Sequence, residues 1–351
     1  MEKSYFWNSY ISAIGKTAIA GENFCRCEQA FAEHKQNIAR LIHTLAPDSV
    51  AILGAGYLND IPLADLLEDG RTVYLVDWLE QAPKVGVSRL LLRKDHQNNY
   101  NCLFCKMSAG AEYCKNFTGE FAGEGVCTAF EAVAQPFVTC KHYEPAVEPR
   151  FIKADITGGV ARSFTAKIEK QMKSCKTAKD AFIKAIACTE HYHYSPIPVE
   201  DDSMELVTSS MVLSQFDFEP YTYFSTLLEQ QFTREELLKH AAKLTPLMEK
   251  LRTRLFTLQV ETHVREMHRI VKKDGKARIY LSAELFRSHP SNDNFFLVQD
   301  MPIALDTLAK YFLFKFDACL GEKVLSKSEL GQGVSINQCY CLVPKDSPSI
   351  T

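Results

Sequence analysis

The sequence has little excess charge of either sign, no long apolar run and no internal repeat, and the first two absences exclude whole classes of function. Its 351 residues carry 40 Lys and Arg against 43 Asp and Glu, a formal net charge of −3. That balance argues against a general nucleic-acid binder, and nucleic acid is not indicated as a partner, although a local basic groove is compatible with it. No apolar run is long enough to span a bilayer, so no membrane partner is expected. Met1-Glu2-Lys3-Ser4-Tyr5-Phe6-Trp7 leads into no apolar segment of the kind a secretory signal needs. The expected location is the cytoplasm. With 46% hydrophobic and 24% charged residues the chain has ample core for one large domain or two small ones. Its 12 cysteines, in a reducing compartment, point to metal, an iron–sulfur cluster or reactive thiols before disulfides.

The stretch from Val50 to Trp78 reads as strand, glycine turn, helix, strand, acid. Val50 to Leu53 is a short apolar run that stops at glycine, as a buried parallel strand does. Gly54 and Gly56, with Ala55 between them, let the backbone turn sharply and let a ligand approach closely. Ala64, Leu66 and Leu67 give the next short helix an inward face, and Val73 to Val76 forms a second buried strand ending at Asp77. An acid at that place is where α/β folds hydrogen-bond a ribose. Two ligand classes suit such a unit, dinucleotides and S-adenosylmethionine. A dinucleotide fingerprint needs glycine at position 59, which is Asn59, and Asp60 follows. A pyrophosphate on this helix N-terminus would meet the Asp60 carboxylate, whereas a ligand carrying ammonium and sulfonium groups tolerates it. The residues favour S-adenosylmethionine.

Gly54-Ala55-Gly56-Tyr57-Leu58-Asn59-Asp60-Ile61-Pro62-Leu63 with Val76-Asp77 resembles the first two motifs of class I S-adenosylmethionine-dependent methyltransferases, closest to a subgroup with Asn-Asp after the glycines. The resemblance implies an α/β, Rossmann-like sheet, mostly parallel with an antiparallel last strand, covered by an N-terminal helical cap. It departs from the family at Ile52, where an acid is usual, and at Leu58, where a third glycine is usual. It implies cofactor contacts from Gly54, Ala55, Gly56, Asn59, Asp60, Asp77 and Trp78, from Asp155 and Ile156 at the end of a third strand, and from Ser209 in a fourth motif.

Residues 1–46 read as the helical cap, with Phe24, Ala30, Phe31, Ile38, Leu41, Ile42 and Leu45 near helical spacing and Pro47 as a stop. Residues 47–95 and 150–351 form the expected core, and 96–149 an inserted module. Phe151 to Thr157 is the expected third strand, 160–188 helical, Met204 to Ser210 the fourth strand, 233–272 helical and Ala277 to Ser282 the fifth strand. Thr233 with Glu236 forms a capping box at the start of the 233–272 helix. Late strands near Lys310 to Phe316 and Gln338 to Val343 suit the antiparallel end. Cys339 and Cys341 share one face of the last strand and read as core.

Within the insertion, Asn101-Cys102-Leu103-Phe104-Cys105 is a C-x-x-C knuckle, followed by Cys114, Cys127 and Cys140 at loose intervals. Two cysteines around a tight turn reach one tetrahedral metal and two more close the shell. Thiolates suit zinc and a 4Fe–4S cluster equally by softness, and four ligands must be chosen from these five. A segment this polar has little apolar surface of its own, so a metal would explain how it orders. The chemistry that follows is methyl transfer to an unknown small-molecule or protein acceptor. His191, His193 and Tyr194, just before the fourth strand, and Ser210 at its end are the candidate catalytic residues. Two alternatives remain open: a non-catalytic protein that binds S-adenosylmethionine and metal, and a nucleotide-dependent oxidoreductase with a cysteine-ligated cluster.

Overall fold

The computed structural model describes residues 31–56, 58–67, 70–78, 82–84, 86–87, 117–118, 126–127, 149–289, 292–297, 301–315, 325–330 and 333–346. In chain order the elements are α1 (Ala32–Leu45), β1 (Ser49–Leu53), α2 (Leu63–Leu67), β2 (Thr72–Asp77), β3 (Phe117–Thr118), β4 (Val126–Cys127), β5 (Arg150–Lys153), α3 (Val160–Met172) and α4 (Ala178–Cys188). They continue with β6 (Leu206–Ser210), α5 (Phe218–Gln231), α6 (Arg234–Lys239), α7 (Ala241–Ile270), β7 (Arg278–His289), β8 (Asn292–Leu297), α8 (Met301–Tyr311), β9 (Phe312–Lys315), β10 (Leu325–Leu330) and β11 (Gly333–Pro344).

All the strands but the β3–β4 pair make one mixed α/β sheet with a parallel, Rossmann-like centre. Its path runs β10-β11-β7-β6-β1-β2-β5, with β8 added on β7 and β9 on β11. The five strands β5, β2, β1, β6 and β7 are mutually parallel, and β11 is reversed against both β7 and β9. After Ser49, β1 is apolar because a central parallel strand is buried on both faces. Alternation then assigns its residues to two cores. Ala51 and Leu53 pack with Val207, Ile279 and Leu281 under Val260, Val264 and Met267 of α7. Val50 and Ile52 pack with Val73, Leu75 and Tyr280 under Ile38, Leu41 and Ile42 of α1 and Leu66 and Leu67 of α2.

Local chemistry sets the helix limits. α1 ends at Ala46 in the left-handed conformation (φ 43°), its N–H bonded to the Ile42 carbonyl, one residue before Pro47. Thr177 caps α4 by accepting from the Asp180 N–H at 3.1 Å. The capping box at Thr233 and Glu236 is formed, but it starts the short helix α6, and α7 begins separately after His240. The third strand ends at Lys153, so Asp155, Ile156 and Thr157 belong to the turn after it. The β8 and β10 hairpin strands and helices α5 and α8 complete the described architecture. Among the described residues no helix is long and apolar enough to cross a membrane.

α1 is docked by a buried polar cluster as well as by its apolar stripe. The Tyr280 hydroxyl donates to the Cys339 thiol at 3.1 Å, and His34 Nδ1 lies 3.3 Å from the same hydroxyl. Asn37 Nδ2 approaches Cys339 at 3.9 Å. Cys339 and Cys341 are both buried in this core. Replacing Tyr280 by Phe removes the buried hydroxyl that joins Cys339 and His34, so urea unfolding should show a loss of about 1–3 kcal/mol with unchanged m-value. An unchanged midpoint would mean the cluster does not hold α1.

Candidate functional site

In an open α/β sheet the ligand crevice lies beyond the carboxyl ends of the strands, where the strand order reverses. Here that point is between β1 and β6, and the chain segments leaving these strands meet there. After β1 the N–H groups of Gly54 and Ala55 both bond the Val76 carbonyl, at 2.9 and 3.1 Å. Gly54 has φ +71°, and a Cβ on it would lie 2.6 Å from Val212 Cγ2 and 3.2 Å from Ile156 Cδ1. Only glycine fits between those two chain segments. Gly56 also has positive φ, but a Cβ there meets nothing closer than the Gly54 carbonyl at 3.9 Å. Its side of the turn is open. Its N–H donates to Asp77 Oδ2 at 2.9 Å, which ties the glycine turn to the acid at the end of β2.

The turn continues through Leu58, which is left-handed at φ +59° although it is not glycine. Met211, directly after β6, has φ +58°. Such conformations cost about 1–3 kcal/mol each and persist only where surrounding contacts enforce them. Both occur at strand ends facing the crevice. Asn59 Oδ1 is buried with no hydrogen-bond partner. The Asp60 carboxyl is raised above the ordinary carboxylate range, chiefly by burial, although Ser210 and Lys35 oppose this. Ser210 hydrogen-bonds Asp60, and its Oγ lies 3.1 Å from Ser282 Oγ, which in turn accepts from the Met211 N–H at 3.0 Å. Hydroxyls therefore run from Ser282 within β7 and Ser210 at the end of β6 to one buried carboxyl.

Asp155 is engaged locally. Its Oδ1 accepts from the Thr157 N–H at 2.9 Å and from the Thr157 hydroxyl, and its Oδ2 lies 3.4 Å from the Arg162 N–H at the start of α3. Burial raises its pKa, against these bonds. The Trp78 ring has Lys153 Nζ 5.4 Å and Arg162 Cζ 5.5 Å from its centroid. Ser209 is fully buried, its Oγ 2.9 Å from His263 Nε2. His263 Nδ1 lies 2.9 Å from the Ile156 carbonyl. A carbonyl only accepts, so Nδ1 carries the proton and Nε2 accepts from Ser209. Burial lowers the His263 pKa to about 4, which keeps the ring neutral. His263 was not singled out from the sequence, because a histidine among charged helix residues carries no local sign of burial.

The segment His191 to Val199 lies against α7, one layer from the crevice. The side chains of His191 and His193 are exposed. The His191 carbonyl accepts from Lys167, and the His193 N–H donates to Ser163 Oγ at 3.1 Å. Tyr192 and Tyr194 turn inward, Tyr192 to Thr262 at 3.2 Å and Tyr194 to the Glu266 carboxylate. Burial, with the Glu266 bond, raises the Tyr194 pKa. Glu266 is fully buried yet held below its ordinary pKa. Burial alone would raise it, but donors from Arg269 (3.0 and 2.9 Å), Tyr194 and the Ile197 N–H (2.7 Å) prevail. The structure thus gathers Gly54, Ala55, Gly56, Asn59, Asp60, Asp77, Ile156, Ser209 and Ser210 around the β1–β6 crevice. It does not turn His191, His193 or Tyr194 toward it.

Cys102, Cys105, Cys114 and Cys140 lie outside the described residues, and Cys127 is described only as backbone of β4, paired with Phe117. Among the described residues no group of three or more His, Cys, Asp or Glu side chains is placed to hold a metal ion. No protein-family model and no curated protein matches the chain.

His34 and His263 are both held near pKa 4 by burial. An unfolded chain protonates them near 6.5, so between pH 6.5 and 4 it binds protons the folded chain does not. Stability should therefore fall as pH drops through that window. Glu266, lowered in the fold, adds a loss at the acid end. Denaturant melts of wild type and His34→Gln/His263→Gln should show a shallower pH dependence in the double variant. Equal slopes would contradict the neutral buried rings.

Proposed function

We propose that the chain is an S-adenosylmethionine-dependent methyltransferase of class I type. The observation that carries this is the glycine turn at the β1–β6 switch point, tied to Asp77 through Gly56 and ending in the orphaned acceptor Asn59 Oδ1. An ammonium group supplies the donor that Asn59 lacks, and a cationic ligand suits the buried Asp60 carboxyl. A pyrophosphate would meet that carboxyl instead, which weighs against a dinucleotide-dependent oxidoreductase. Three further observations agree. The parallel order β5-β2-β1-β6-β7 is that of a doubly wound sheet. The reversed β11 matches the antiparallel last strand that the family resemblance implies. Leu58 keeps the left-handed backbone that the family's third glycine would serve.

When bound, the sulfonium supplies an activated methyl group. The chain's contribution is to hold the ligand and an acceptor in line, which accounts for most of the rate gain in such a displacement. Ser210 and Ser282 are the hydroxyls that could orient an acceptor beside the buried Asp60 carboxyl. Tyr194 is an unsuitable base because its hydroxyl already donates to Glu266 and its pKa is raised. Ser209 is a positioning residue, its hydroxyl committed to His263. One observation favours a second reading, a binding protein without turnover. Ile52, where the family has an acid, is core with 1% of its surface exposed and offers no ligand group. The C-x-x-C knuckle with its three companions supports a zinc or 4Fe–4S module in the same chain.

Calorimetric titration with S-adenosylmethionine should show one site, with Asp77→Ala weakening it about 10- to 100-fold. No binding by the wild-type chain overturns the methyltransferase and the binding-protein readings together. On anaerobically purified protein, metal analysis and an absorption spectrum should show zinc in a colourless sample or iron in a brown one. A metal-free sample refutes the module.

A further inference from the structure

Several described cations on helices α4 and α7 and in the turn after α7 are held by carboxylates. Away from β5, Lys184, Arg252, Arg269, Lys272 and Lys273 are ion-paired with Asp180, Asp217, Glu266, Glu205 and Asp202 respectively. Around β5 four cations lie on aromatic rings, as Arg252 and Arg265 do on Tyr221 and Tyr194 elsewhere. Arg150 sits 5.2 Å from the Tyr74 ring centroid and donates to the Tyr74 hydroxyl at 2.7 Å. Lys84 lies 5.5 Å from the Phe151 centroid, and Lys153 and Arg162 lie over Trp78. Arg150, Lys153 and Arg162 are exposed, and none of them forms an ion pair with a described carboxylate. Asp77 and Asp155 accept from the backbone N–H groups of Gly56, Thr157 and Arg162, and the Asp155 carboxyl also feels the charge of the Arg162 guanidinium. An aromatic face steadies a cation without cancelling its charge. Among the described residues, Arg150, Lys153 and Arg162 therefore form an exposed positive strip along the β2–β5 margin that no described ion pair closes, in a chain whose net charge is −3.

We propose that this strip binds single-stranded nucleic acid. Its shape selects among polyanions. Tyr74 pairs with Arg150 in register, and Phe151 is the next residue along β5, so the two pairs face opposite sides of the sheet. Tyr74 packs against the α7 core and Phe151 against the α1 core. Lys153 ends β5 and Arg162 is in the first turn of α3, and both lie over Trp78. A flat bilayer or a rigid duplex cannot touch all three places, whereas a flexible strand can wrap the margin. Rings interleaved with cations are what bases and phosphates require together. An acidic peptide matches the charge but makes no use of the rings. The inference stands on charge and geometry alone and does not need the methyltransferase reading.

The test is fluorescence anisotropy of the full chain, without cofactor, against a labelled 20-nucleotide single-stranded RNA and the DNA of the same sequence. Neutralising three phosphates predicts affinity about twentyfold weaker at 200 mM than at 50 mM KCl. Arg150→Gln/Lys153→Gln/Arg162→Gln should weaken binding at least about tenfold and flatten that salt dependence, with an unchanged thermal melt. Lys272→Gln/Lys273→Gln, which removes paired cations, should change nothing. RNA and DNA binding alike supports a backbone contact, and RNA alone adds a 2′-hydroxyl contact. No binding at 50 mM KCl overturns the proposal. So does equal loss in both variants, or preference for duplex or polyglutamate. Because no cofactor is present, a negative result here leaves the S-adenosylmethionine titration standing, and the converse holds.

Discussion

Helix α7 buries a polar stripe, and the elements packed on it satisfy most of its groups, Gln259 Nε2 excepted. Gln259, Thr262, His263, Glu266 and Arg269 recur at three- and four-residue spacing, so they share one face. Gln259 accepts from the Asp217 N–H at 2.8 Å. Thr262 meets Tyr192, and His263 joins the end of β6 to the turn after β5. Glu266 and Arg269 hold Tyr194 and the backbone of Ile197 and Val199. A buried charge left without its partner typically costs about 3–5 kcal/mol. The stripe therefore fixes the loops that border the crevice, although it contributes little net stability of its own.

That fixation explains how strained backbone survives beside it. Leu58, Met211 and Asp217 all take positive φ, and all lie in the segments that follow β1 and β6. Gly54 packs against Val212 and Ile156, and Ile156 is bonded to His263. Asp217, at the start of α5, is held by Gln259 through its N–H and by Arg252 through its carboxylate at 2.7 Å. The strand ends cannot relax without breaking buried hydrogen bonds. A pre-set crevice with an orphaned acceptor and a buried carboxyl is the result, and pre-organisation of this kind is what a positioning mechanism needs.

Much of the β1–β2 unit is legible in sequence because its signals are local. An apolar run, two glycines and an acid sit within 28 residues and fold against one another. The α7 stripe is not legible, for the opposite reason. His263 finds Ile156 107 residues away and Ser209 54 residues away, and Glu266 finds Tyr194 72 residues away. Polar residues on a long helix read locally as a solvated face. The same limit placed His191, His193 and Tyr194 near the acceptor, since chain proximity to β6 is visible and the inward turn of Tyr194 is not. β10, Leu325–Leu330, alternates too weakly to announce a strand, and only its pairing with β11 makes it one.

The central claim is that the β1–β6 crevice holds S-adenosylmethionine. A crystal structure of the chain with S-adenosylhomocysteine tests it most directly. The account predicts ligand density along Gly54 to Gly56, with a ligand donor on Asn59 Oδ1 and the ribose at Asp77. Density elsewhere, or an empty crevice at saturating ligand, would contradict it.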